Sequence, residues 1–382
     1  MDTVRVLGFR YSHRPRIDAP RYRRALLCAA LSATLVLTAC STEDTPDNVE
    51  TPVALQVDPA RVLLQTPGNA PHRTLEYASE RPEQKVSVAV TSGFEQQVMR
   101  ADAVQVQAPE AAQDTPLMQD AETLTLPLRA TGSAAEGSRD SDDSGDSDKD
   151  GGAGSAGTEE AATRRVDTTL GKPTSSLAEQ NPDLETAQGF TLGWQGDASG
   201  RIDTVNLAAP TEANDESRAL VEKAMMKLLS LPVIFPKEPV GVGAVWSVDS
   251  RVTGEATLLQ TTTYTLTALD GDTVELSVSV QQRPAQGALT LDTGAASAEN
   301  GAEVEDSDTA STTADAPSQA NLGTQTLDVM NTNTSSTGTL RLNLNEALPH
   351  EGTVALTTRV VYGQQESDVR VVQDTATQLR FS

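Results

Sequence analysis

The chain has 382 residues, with 54 acidic against 29 basic side chains, a formal charge of −25 at neutral pH and only 3% aromatic residues. Such an excess of negative charge repels phosphate backbones and sets nucleic-acid binding aside. With so few aromatic rings the core must come chiefly from Val, Leu and Ala, which favours a thin, sheet-dominated core over a deep one.

The first element is a leader. Arg5, Arg10, Arg14, Arg16, Arg21, Arg23 and Arg24 precede an uninterrupted apolar or small-residue run from Ala25 to Leu37, and the run closes on Leu37, Thr38, Ala39 and Cys40. A membrane-spanning helix needs about 20 apolar residues, more than this run supplies before Ser41, Thr42, Glu43 and Asp44. A basic segment, a short apolar segment and a small-residue cleavage site together read as an export signal over residues 1–39. Leu37 to Cys40 resemble the bacterial lipobox, at which lipoprotein precursors are diacylated on cysteine and cut just before it. Cys40 is therefore the expected lipidation site, and two acyl chains are enough for stable anchoring. Arg23 and Arg24 are followed by a loose match to twin-arginine signals, so general secretion ranks first.

Removing the leader leaves about 340 residues and a charge of about −30. Cys28 leaves with it, so the mature chain holds Cys40 alone, with neither a disulfide nor a thiolate metal cluster available. Residues 40–53 are polar, acidic and Pro-containing, the composition of a flexible tether. A single β-rich domain is expected over 54–382. Two segments interrupt it: 132–161 has nine acids against Arg139 and Lys149, and 294–320 has six acids and no base. Neither contains enough apolar surface to offset the entropy of ordering, so both are read as disordered acidic insertions in surface loops.

Between the insertions, "FTLGWQ" and "RIDTVNL" flank "GDASG" at Gly196–Gly200, a turn between strands. An amphipathic helix follows at about Glu212 to Leu229. Leu220, Ala224 and Leu228 form one row and Val221, Met225 and Leu229 the next, and Pro232 ends it. Met225 and Met226 would suit an adaptable ligand lining but serve a helix core equally well, the reading we favour. The stretch "LPVIFPKEPVGVGAVWSV" then leads into a strand. Its Gly241 and Gly243 lack the third glycine and following helix of a dinucleotide loop, so they are read as allowing close backbone approach, with Trp246 closing the core.

Strict alternation follows at Val274, Leu276, Val278 and Val280, at Leu340, Leu342 and Leu344, and at Val354, Leu356, Thr358, Val360 and Tyr362. "LDGD" at Leu269–Asp272 reads as a tight hairpin, and short links of this kind imply an antiparallel meander. The expected fold is thus α+β, mainly β: a curved, half-barrel-like antiparallel sheet with one main helix.

The leucine-proline after the helix, "PVGVGAVW", "TTYTL", the "DGD" turn and "VELSVSV" resemble an uncharacterised family of actinobacterial secreted lipoproteins. "DASGRIDTV" and "LLQTPGNAPHRTLEY" extend the resemblance from about residue 54 to the end, outside the acidic insertions. It implies envelope location and a β-rich body, and it transfers no catalytic residue.

Chemistry is sparse. His72 and His350 each follow a proline in turn-like sequence and read as loop histidines rather than bases of a triad. Asp146, Asp148, Asp150 and Gly151 imitate the start of a calcium loop, but Gly157 stands where its bidentate Glu belongs, so no metal site is assigned. No cofactor or enzymatic activity is expected. The expected partners are the membrane, through Cys40, and either a hydrophobic ligand under the helix or an envelope protein. An unfilled apolar cavity of several hundred Å³ between helix and sheet would separate these two.

Overall fold

In the computed structural model the described residues are 48–112, 118, 120–134, 163–252, 257–292 and 324–382. The N-terminal unit, Met1–Thr45, lies outside them, and with it the leader and Cys40. Fifteen strands follow: β1 (Val53–Gln56), β2 (Arg61–Thr66), β3 (Arg81–Arg100), β4 (Glu122–Ala134), β5 (Thr163–Leu170), β6 (Thr174–Ser175), β7 (Thr191–Asp197), β8 (Ile202–Ala208), β9 (Val245–Val252), β10 (Leu258–Asp270), β11 (Thr273–Pro284), β12 (Ala288–Asp292), β13 (Thr324–Asn343), β14 (Glu351–Gly363) and β15 (Val369–Phe381). The helices are a four-residue α1 (Asn181–Leu184) and the main helix α2 (Asp215–Leu229).

All strands belong to one antiparallel sheet with the path β1-β8-β7-β5-β4-β3-β15-β14-β13-β11-β10-β9-β2, and β6 and β12 join from the side. Two meanders make it up. One runs from β3 outward to β8, the other from β9 inward to β15, and they join where Val88–Arg100 pairs with Val369–Phe381. The early and late parts of the chain therefore share one sheet. Its outer edges are β1 and β2, and the link between them is only residues 57–60. A link that short reaches roughly 17 Å when extended, so the sheet must curl until its edges nearly meet. The edges do not pair, and the curl stays open along a seam.

The alternating residues face inward as their spacing predicts: Val274, Leu276, Val278, Val280, Leu340 and Leu342 are all buried. The β10–β11 hairpin pairs Asp270 with Thr273, so its two loop residues are Gly271 and Asp272. Gly271 takes a φ of 55°, the left-handed conformation that glycine adopts without penalty.

The helix begins at Asp215, three residues after the predicted start. Asn214 has extended backbone and its side-chain oxygen accepts from the Ser217 N–H at 2.8 Å, a cap contributing about 1 kcal/mol. α2 connects β8 to β9 and packs one face into the core. Val221, Ala224, Met225 and Leu228 are buried, and Lys227 Nζ donates to Ser92 Oγ of β3 at 2.7 Å.

Two further boundaries of the sequence reading move. Gly132, Ser133 and Ala134 belong to β4, paired with β5, so the first insertion cannot begin at 132. The rest of that insertion and all of 294–320 lie outside the described residues. The end of the expected tether already follows the body: Val49 bridges to Pro210, Glu50 N–H donates to Ala209 O, and β1 starts at Val53.

The opposite face of β13, β14 and β15 is covered too. Residues 105–112 lie across it, with Ala108 N–H donating to Asn333 Oδ1 and Ala111 N–H to Ser335 Oγ. This cover explains why Ala355, Thr357 and Ala376 are buried although they alternate with the core residues.

Candidate functional site

The best-formed apolar hollow lies along the seam. It has a volume of about 340 Å³ and is lined by Leu55 of β1 and Val57 of the link, by Val252 of β9, and by Ile202, Met226 and Leu229. Met225 and Met226 divide between the two roles considered for them. Met225 is fully buried in the core, whereas Met226 is half-buried and faces the hollow. At the rim Arg251 and Asp58 approach at 3.8 Å, an exposed pair of little energetic weight.

One wall of this pocket is the stretch after α2. The hydroxyl of Tyr264 donates to Pro232 O at 2.8 Å, that of Tyr77 to Val233 O at 3.3 Å, and Trp246 Nε1–H to Ile234 O at 2.8 Å. Three consecutive carbonyls are thus held by three aromatic side chains from separate parts of the chain. The rings pack together, with centroid separations of 5.2 Å for Tyr77–Phe235, 6.1 Å for Phe235–Trp246 and 5.6 Å for Trp246–Tyr264. Each buried donor finds an acceptor, so an extended segment lacking sheet partners becomes a rigid wall. Burial raises the pKa of both tyrosines, which stay neutral donors at physiological pH.

Beyond that wall sit two arginines. Arg81 and Arg164 are 8% and 5% exposed, and their Cζ atoms lie 5.0 and 4.3 Å from the centre of the Tyr77 ring. Arg81 donates to Ala78 O and Glu346 O, and Arg164 to Ala347 O. Neither has a carboxylate partner among the described residues, and Arg81 Nη2 and Arg164 Nε have no acceptor. Burial, then repulsion by Arg164, pushes Arg81 down to about 9. Burial lowers Arg164 as well, opposed by Tyr77 and Asp197. Gln84 steadies the loop these arginines hold, donating to Leu348 O and accepting from the Ala347 and Leu348 N–H groups. A small hollow of about 40 Å³ lies between Arg164, Tyr77, Trp194 and Leu348.

A larger cleft, about 780 Å³, opens where β11 and β13 part. Two amides of its polar wall are tied to one another and to the body: Gln282 donates to Gln260 Oε1 and accepts from Thr358, and Gln260 donates to Ser230 O. Such a wall offers a hydrophobic ligand little, and we assign the site to the smaller seam pocket.

The residues singled out from sequence fall elsewhere. His72 Nε2 contacts Gly68 O, His350 Nδ1 contacts Glu346 Oε2 at 2.9 Å, and the two share no site. Gly241 does allow close approach: a Cβ there would lie 1.8 Å from Asn69 O. Cys40 and the Asp146–Asp150 stretch lie outside the described residues. Among the described residues no group of three His, Cys, Asp or Glu could hold a metal, and no helix is long and apolar enough to cross a membrane. Arg81, Arg164 and Tyr77 were not singled out. Their available signal was Arg164 itself, which shares the inward register of Val166, Thr168 and Leu170.

Fold and site define a mainly β protein, one open antiparallel sheet curled around a helix with an apolar pocket at its seam. Residues 221–349 match the model of a family of unknown function, DUF6263. That span runs from α2 through the Gly241–Trp246 segment to the loop held by Gln84, a narrower stretch than the lipoprotein resemblance covers. No curated protein and no solved structure matches the chain.

Proposed function

We propose that the chain is a bacterial lipoprotein, anchored by acyl chains on Cys40 at the extracytoplasmic side of the cell membrane, whose body binds a hydrophobic ligand in the seam pocket. The observation that carries the ligand reading is the unfilled apolar space between α2 and strands β1, β8 and β9. Its size lies at the lower end of small-molecule sites, which are mostly apolar and largely preformed. The anchor rests on the leader and lipobox-like residues. The activity is binding, with no catalytic step.

A second reading is supported by a different surface. Phe94, Val98 and Val369 are 55%, 55% and 50% exposed and share one face of the paired strands β3 and β15. An exposed apolar patch of this kind suits a structural or protein-interaction module of the envelope.

One experiment addresses the anchor and the ligand. The chain carrying Cys40→Ser behind a leader that is cleaved without acylation is expected to shift from the membrane to the soluble fraction of its host. Native mass spectrometry of that soluble chain is expected to show a discrete added mass that denaturation releases. A wild-type Cys40 without acyl mass would sink the anchor. A bare native mass, unchanged after incubation with host lipid extract, would sink the carrier and favour the interaction module.

A further inference from the structure

Two buried guanidinium groups without a counterion are an unfinished electrostatic arrangement. Removing charge from water is expensive unless it is paired, and carbonyl oxygens return only part of the loss. Arg81 and Arg164 stack on the same ring, repel each other and have three backbone carbonyls between them. Asp197 is the carboxylate that acts on Arg164, but its Oδ1 is committed to its own turn, accepting from Ser199 N–H, Ser199 Oγ–H and Arg201 N–H. Arg164 lines the small hollow while its Nε finds no acceptor. What the hollow lacks is one compact negative group.

The hollow adjoins the seam pocket. Ile202, Leu229 and Pro232 are walls of both. Its volume of about 40 Å³ exceeds the 10–15 Å³ or so that one water needs, enough for a small oxyanion head and too little for a chain. The seam pocket has the complementary character, apolar and about 340 Å³, the scale of one acyl chain.

We infer that the ligand of the seam pocket is an anionic monoacyl amphiphile, its chain lying along Leu55, Met226 and Leu229 and its carboxylate-sized head received by Arg164 beside Tyr77. This rests on the proposed carrier function and adds the charge and the chain number. Binding transfers no proton and forms no covalent bond. Arg81 donates nothing to the head directly. It shares the ring and adds positive potential.

The test uses the soluble Cys40→Ser chain, freed of its leader, and isothermal titration with decanoate, decanol and acetate. Charged hydrogen bonds to a buried partner predict that decanoate binds about ten- to a hundredfold tighter than decanol. Arg164→Gln should bring the two within about twofold by weakening decanoate alone. Met226→Trp, which fills the apolar end and leaves the arginines in place, should weaken both by more than about tenfold. Should Arg164→Gln fail to fold, the wild-type comparison and Met226→Trp decide the matter. Equal affinity for decanoate and decanol overturns the anionic head and leaves the carrier standing. Acetate binding as tightly as decanoate overturns the amphiphile in favour of a free-anion site. Binding of neither decanoate nor decanol overturns the carrier itself.

Discussion

Trp246→Ala is expected to destabilise the protein by about 3–5 kcal/mol, read from the denaturant midpoint at constant slope. Trp246 is fully buried between Phe235 and Tyr264, and the indole fills space that Tyr264 cannot collapse into without leaving its own hydrogen bond. Its loss also strands Ile234 O, a buried acceptor worth about 1–3 kcal/mol when left unpaired. Trp246→Phe separates the two contributions, because it keeps much of the ring area and loses the donor. Tyr264→Phe repeats the experiment one carbonyl earlier, stranding Pro232 O. Since Pro232 and Ile234 both line the seam pocket, these variants should weaken ligand binding as well. A midpoint for Trp246→Ala corresponding to less than about 1 kcal/mol would show that the ring is not a structural anchor.

Much of the sheet was legible because one of its faces is dry. Val274 to Val280 and Leu340 to Leu344 announce their strands by parity alone, and the residues that alternate with them are largely left to solvent. The helix was legible for the same reason, and its start was misplaced only because Glu212 matches the acidic first turn as well as Asp215 does, while the cap is Asn214. What the sequence does not carry is the choice of distant neighbours. No local pattern says that β3 pairs with β15, or that β1 and β2 leave a four-residue link for opposite edges. Those pairings follow from the meeting of two meanders, a tertiary event to which local propensity is blind. The double burial of β14 was hidden likewise, since the cover over Thr357 comes from residues 105–112.

The site was less legible than the fold. Met225 and Met226 are adjacent, about 100° apart on the helix, and a reading from side-chain chemistry alone treats them together. The structure sends one to the core and the other to the seam. The three donors to Pro232, Val233 and Ile234 come from sequence positions far apart, so no motif records them. Arg164 could have been noticed, because a charged residue in the inward register of a strand must either be satisfied or be waiting for something.

Asp374→Ala is expected to cost about 3–5 kcal/mol, although Asp374 is far from the pocket. Arg359 donates to both of its carboxylate oxygens, at 2.8 and 2.6 Å, and the two side chains are only 15% and 6% exposed. Asp374 raises the Arg359 pKa through that hydrogen bond, so removing it leaves a guanidinium that stays charged and loses its partner. The consequence extends to the cover, because Arg359 Nη1 also donates to Gln105 O at 2.9 Å. With the arginine displaced, the Ala108 and Ala111 amides should exchange with solvent faster than in the wild type. The double variant Arg359→Met with Asp374→Leu removes both charges and keeps the volume, and is expected to recover to within about 1–2 kcal/mol of the wild type. A double variant as unstable as Asp374→Ala would mean that the pair is needed for the register of the cover. A single variant close to wild type would mean that water already reaches it.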